Sequence, residues 1–107
     1  MNRVIDHLHQ NYSQKLDEAK LAKTIGISSA HMRRLVKEVT QKTITHHLIK
    51  IRMEIAGHLI LNSSKNINEI ANHVGYTSFT HFCNIFKKET GQTPTQYANS
   101  IGLSNKE

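Results

Sequence analysis

A helix, a glycine turn and a second helix are written twice into this chain, and the duplication leaves few folds open. Residues 67–94 read INEIANHVGYTSFTHFCNIFKKETGQTP. Ile67, Ile70, Ala71 and Val74 recur at helical spacing, so one face is apolar. Gly75 follows the last of them, where a left-handed C-cap needs no Cβ. Thr77 or Ser78 can cap a new helix, whose apolar stripe is Phe79, Phe82, Ile85 and Phe86. Gly91 ends it, and Pro94 suits the first turn of another. Upstream, LAKTIG (21–26) aligns with IANHVG (70–75), and AHMRRLVKEVTQKT (30–43) aligns with THFCNIFKKETGQT (80–93). Identities within the second alignment are few (His31/His81, Lys37/Lys87, Thr40/Thr90, Thr43/Thr93), but the apolar positions repeat well. Two short helices around a glycine-containing turn form a helix-turn-helix unit, and here it is duplicated in tandem.

The remaining segments fit around the two copies. Residues 2–11 read as a first helix with Val4, Ile5 and Leu8 on one face. A second helix runs from Asp17 as cap to Ile25, with Leu16, Leu21, Ala22 and Ile25 inward and Gly26 ending it. Ser28 or Ser29 opens the third helix, which runs to about Thr40 and should bury Met32, Leu35, Val36 and Val39. Between the copies, residues 43–62 form a helix capped by Thr43 or Thr45. Ile44, Leu48, Ile51, Ile55 and Leu59 make one stripe, which Ile49, Met53, Ala56 and Ile60 widen. A helix apolar around most of its circumference is buried on more than one side, so this one joins the two copies and walls both cores. Asn66 or Asn68 caps the fifth helix. The last helix runs from Pro94 to about Ile101, with Tyr97 and Ile101 closing the second core and a polar tail that frays. The expected fold is all-α: seven helices forming two helix-turn-helix subdomains (1–42 and 63–107) joined by a central linker helix (43–62).

Composition narrows the function. At 107 residues the chain is one domain or two small subdomains, and a net charge of +6 favours a polyanionic partner. No apolar run approaches a membrane span, and the N-terminus lacks the apolar core of a signal peptide. A single cysteine, Cys83, rules out an internal disulfide framework and fits a reducing cytoplasm. Of the eight histidines, none lies three or four residues from another, so no helix presents a pair of metal ligands. No carboxylate constellation or glycine-rich phosphate loop suggests an enzyme, and no cofactor is implied.

Sorted by angle, the third helix turns Ala30, Arg34 and Lys37 outward with Arg33 at the flank. The sixth turns out Thr80, Asn84 and Lys87 with Cys83 at the flank. The two copies thus offer equivalent outer faces with different chemistry. Arg33 and Arg34 suit bidentate contact with guanine, Asn84 with adenine, and Thr80 a thymine methyl. Ala30 and Cys83 complete the base-facing set. Ser28, Ser29, Thr77 and Ser78, at helix N-termini, and Lys37, Lys87 and Lys88 suit phosphates. The blander readings pair Arg33 or Arg34 with Glu38, make Arg52 structural, paired with Glu54 or a neighbouring carboxylate, give His31 and His81 capping or packing roles, and make Cys83 an inert thiol. A rival class, an all-α protein-interaction module without DNA affinity, requires an exposed apolar stripe.

The chain resembles the DNA-binding domain of the AraC/XylS family of bacterial transcription regulators. The resemblance is carried by Gly75-Tyr76, Ser78, Phe82, Phe86-Lys87-Lys88, Gly91, Pro94 and Tyr97, and in the linker by Leu48, Arg52, Ala56 and Leu59. It covers the chain from about Ile5 to Ala98. Departures are Asn84 in place of the family's Arg, Val36 of Phe, Gln41 of Gly and His47 of Tyr. The resemblance implies sequence-specific binding of double-stranded DNA through two recognition helices (about 28–40 and 78–90) in successive major-groove segments. It also implies transcription regulation, often activation through contact with RNA polymerase. Family members usually carry this domain after a ligand-sensing or receiver domain, so the chain reads as an excised C-terminal piece, monomeric by itself.

Overall fold

The computed structural model describes residues 2–105, with side chains described for residues 3–100. Among the described residues there are seven helices and no strand: α1 (Asn2–Gln10), α2 (Glu18–Ile25), α3 (Ser29–Thr40), α4 (Ile44–Asn62), α5 (Ile67–His73), α6 (Phe79–Thr90) and α7 (Pro94–Asn105). The chain divides into two compact units, Met1–Ile51 and Arg52–Glu107, and the division falls within α4.

In the first unit, each helix end has an identifiable chemical cause. The Asp17 carboxylate accepts the Lys20 N–H at 3.0 Å and starts α2. Gly26, at φ 93°, stops it; its N–H reaches the Ala22 carbonyl at 2.8 Å, and the Ile27 N–H reaches the same oxygen at 3.1 Å. Two residues later the Ser28 hydroxyl accepts the His31 N–H at 3.1 Å and opens α3. Thr43, not Thr45, caps α4, accepting the His46 N–H at 3.1 Å. Against these constraints Val4, Leu8, Leu21, Ala22, Met32, Val36, Ile44, Leu48 and Ile51 form the buried core.

The second unit repeats the plan. Asn66 and Glu69 form a capping box: the Asn66 side chain accepts the Glu69 N–H at 2.8 Å, and the Glu69 carboxylate accepts the Asn66 N–H at 2.9 Å. Gly75 takes φ 102°, and the Tyr76 N–H bonds the Ala71 carbonyl at 3.0 Å, as Ile27 does to Ala22 upstream. Ser78 caps α6 by accepting the His81 N–H at 3.1 Å. The core here is aromatic: Tyr76, Phe82 and Phe86 pack in sequence with tilted rings, and Tyr97 lies edge-on to Phe86 at 5.3 Å. Met53, Ala56, Ile70, Ala71, Val74 and Pro94 complete it.

Several expectations are corrected. Val39 is 63% exposed and Leu35 36%, while only Met32 and Val36 of that stripe are buried. A helical wheel fixes direction around the axis but not distance along it, and Val39 lies in the last turn of α3. Its counterpart in α6, Glu89, is also exposed. Phe79, first residue of α6, is 45% exposed for the same reason, and Ile85 is half-buried. Helix α7 continues to Asn105, beyond the expected end near Ile101, whose side chain lies outside the described residues. Arg52 is buried with its guanidinium 5.1 Å from the centre of the Tyr76 ring, a cation–π contact that the spacing of the linker helix did not suggest.

Candidate nucleic-acid interface

The helix-turn-helix geometry separates core and surface within each unit. On α3, Met32 and Val36 are at most 1% exposed, while Ala30, Arg33, Arg34 and Lys37 face solvent. On α6, Phe82 and Phe86 are fully buried, while Thr80, Asn84, Lys87 and Lys88 face solvent. A helix whose buried side is locked by packing holds its outer side in a fixed direction. The structure therefore brings Ala30, Arg33, Arg34 and Lys37 to one face, and Thr80, Asn84 and Lys87 to another.

Two residues of the sequence-derived set sit deeper. Cys83 is half-buried, and desolvation pushes its thiol above its ordinary value of 9.0, which disfavours the thiolate. Ser29 is half-buried as well, whereas Ser28, Thr77 and Ser78 are exposed. The Ser28 and Ser78 hydroxyl oxygens accept helix N–H groups, and each still has its own O–H to donate. His81 packs its ring against Tyr76 at 5.6 Å, and the backbone N–H groups of His31 and His81 serve the caps.

Arg33 has a partner that the sequence did not suggest. Its Nη1 lies 3.2 Å from Oε1 of Glu18, the first residue of α2, rather than pairing with Glu38. The contact spans fifteen residues and depends on how α2 packs against α3, so helical spacing could not reveal it. The sequence left Asn66 or Asn68 as the cap of α5; the N-x-x-E spacing from Asn66 to Glu69 is the signal that singles out Asn66. Among the described residues no group of three His, Cys, Asp or Glu side chains could hold a metal ion, and no helix is long and apolar enough to cross a membrane.

Residues 21–100 match the family model described as a helix-turn-helix domain, of the AraC type. The chain belongs to this family of DNA-binding transcription regulators. The AraC-type domain is similar to an uncharacterized HTH-type transcriptional regulator in the cgkA 5′ region of Pseudoalteromonas carrageenovora, at 31% identity over 89% of this chain and 56% of the relative. Among solved structures it is similar to the C-terminal domain of AraT, a response regulator from Geobacillus stearothermophilus. That match has 33% identity and a TM-score of 0.87, over 92% of this chain and 83% of the other. The DNA-binding domain of AdpA, a global transcriptional factor solved in complex with a target DNA, shares the fold at 20% identity and a TM-score of 0.90, over 99% and 96% of the two chains. The chain spans 56%, 44% and 36% of the first three curated relatives' lengths.

Proposed function

We propose that this AraC-type domain regulates transcription by inserting α3 and α6 into successive major-groove segments of promoter DNA. The observation that carries the reading is the paired outer faces: in each unit a solvent-facing polar or basic side stands opposite a fully buried one. Arg33 and Arg34 read guanine, Asn84 reads adenine, and Thr80 meets a thymine methyl. Ala30 keeps the backbone of α3 close to the base edges, and the half-buried Cys83 supplies only an apolar flank. Lys37, Lys87 and Lys88 neutralise phosphates, while Ser28, Ser29, Thr77 and Ser78 bind them at helix N-termini. In the parent protein a sensor or receiver domain precedes this one, contact with RNA polymerase gives activation, and the regulator works in the cytoplasm without cofactor or catalysis. The domain alone is monomeric.

Selection of bound duplexes from a random pool tests the reading. The expected result is a bipartite site, with guanine under α3 and A·T pairs under α6, bound with affinity that falls steeply as salt rises. Arg34→Ala should erase the guanine preference at one step under α3, leaving the step read by Arg33 and the A·T half unaffected. The rival reading, a protein-binding module, finds support in the exposed Leu35 and Val39 of α3. A gel shift separates the two, since a protein-binding module gives no salt-dependent DNA affinity.

A further inference from the structure

We propose that Glu18 is a positioning residue for base readout: it holds the Arg33 guanidinium at the flank of α3, so that its free edge addresses one base step. The proposal rests on the DNA-reading role of α3 argued above. Glu18 belongs to the first turn of α2, directly after the capping Asp17, and accepts from Arg33 Nη1 at 3.2 Å. Arg33 is 54% and Glu18 28% exposed by side chain, so the carboxylate sits at the protein surface and the arginine reaches out over it. An ion pair so exposed adds little to folding stability. Its effect falls on orientation. A guanidinium offers five N–H groups in one plane, and a single Nη1 contact leaves the rest of the fork for guanine O6 and N7.

The charge arrangement supports the same conclusion. Asp17 and Glu18 place two carboxylates at the start of α2, which favours the helix dipole but repels a DNA phosphate. Arg33 neutralises one of them on the side that faces α3. The second unit has no such pair: the positions equivalent to Glu18 and Arg33 are Ile67 and Cys83. The clamp therefore belongs to the first recognition helix alone, and it gives the first half-site a stricter base preference than an unanchored arginine would.

The test measures binding of the intact chain to the duplex selected by the wild type, and to single-base variants of it. Glu18→Ala should lower guanine discrimination at one step under α3 by about fivefold. It should leave discrimination under α6 unchanged and leave non-specific affinity equal or higher, because a negative charge near phosphate has gone. Glu18→Gln, which keeps an acceptor oxygen, should retain part of the discrimination. Arg33→Ala should abolish the same preference, with no further loss in the double variant. Thermal melting of each variant, expected to stay at the wild-type value, separates orientation from folding. Unchanged or increased discrimination in Glu18→Ala overturns the proposal, an increase meaning that Glu18 withholds Arg33 from DNA. A wild type that selects no sequence overturns the DNA-reading role itself, and the clamp with it.

Discussion

The turn that leaves α3 and the turn that leaves α6 are the same device built with different side chains. In both, a threonine ends the helix and donates to the carbonyl one turn back: Thr40 to Val36 at 2.7 Å, Thr90 to Phe86 at 2.8 Å. The next residue is left-handed, Gln41 at φ 66° and Gly91 at φ 84°. A second threonine then caps the following helix, Thr43 toward His46 and Thr93 toward Gln96, each at 3.1 Å. Only the second copy returns the favour with a side chain, the Gln96 amide oxygen accepting the Thr93 N–H at 2.9 Å. One turn on, the first copy has His47, which bonds Thr40 at 2.8 Å, and the second has Tyr97, which packs on Phe86. The backbone plan is shared, and the core behind it is aliphatic in one copy and aromatic in the other. Stability should therefore be distributed unequally between the units.

The largest expected effect follows from the cores. Phe86→Ala removes a fully buried ring with aromatic neighbours on both sides and should cost about 3–5 kcal/mol. Val36→Ala, at the equivalent position, removes two buried methyl groups and should cost about 2 kcal/mol. Urea unfolding followed by circular dichroism gives the totals, and amide exchange in α5 and α6 locates the loss. Equal losses would show that the two cores contribute alike.

The left-handed turn should give a smaller effect. A Cβ at Gly91 meets nothing within 4 Å, so Gly91→Ala has only backbone strain to bear, about 1 kcal/mol. Gln41 tolerates this strain while its side-chain amide donates to the Glu38 carbonyl at 3.0 Å. Gly91→Gln can copy that bond onto Lys88 and should cost about half as much as Gly91→Ala. Equal costs for the two variants would show that the Gln41 bond contributes nothing.

These turns also show what a sequence of this kind discloses. The glycines at 26, 75 and 91, the cap at Asp17, and the buried Met32, Val36, Phe82 and Phe86 were all legible, while the caps of α3 and α6 were narrowed to Ser28 or Ser29 and to Thr77 or Ser78, of which the structure uses Ser28 and Ser78. Each depends on spacing along one or two helices. The exposure of Val39 and Phe79 was not legible, because position along a helix relative to its neighbours is set by packing. The outer faces followed from the buried ones by geometry, so Arg34, Lys37, Thr80 and Asn84 lie where the wheel put them. The Arg33–Glu18 contact joins two helices and the Arg52–Tyr76 contact joins α4 to the turn between α5 and α6, and no local spacing encodes them. Cys83 was placed at a flank, yet its half-burial depends on neighbours that the wheel omits.

Tyr97 sharpens the comparison from the aromatic side. A Cβ at Gly57 of α4 would lie 3.2 Å from the Tyr97 hydroxyl and 3.5 Å from its ring. Only the hydroxyl contact is tight. In the wild type, Gly57→Ala should therefore gain little from its better helix propensity. With Tyr97→Phe in place the same change should stabilise by about 0.5–1 kcal/mol. A gain of that size with the hydroxyl still present would show that the ring shifts freely and does not fix its position against Phe86.

His47, at the position equivalent to Tyr97, should give the smallest effect. Burial lowers its pKa below the ordinary 6.5, and the charges of His46 and Lys50 lower it further. The Thr40 hydroxyl has one proton and two carbonyls within reach, at 2.7 and 3.1 Å. When it donates to either, Nε2 of His47 must carry a proton and donate to the hydroxyl. Acid then adds its proton at Nδ1, so the bond to Thr40 survives and only the burial of a new charge is felt. The folded pKa is depressed, so the unfolded chain binds the proton more readily as pH falls. The contribution of His47 is thus fully present above about pH 6.5 and is lost as pH drops from there through the folded value. The urea midpoint of the wild type should fall more between pH 7 and pH 5 than that of His47→Gln, which cannot ionise. Parallel falls in the two proteins would show that His47 adds nothing to the acid sensitivity and leave the two junctions alike in their response to pH.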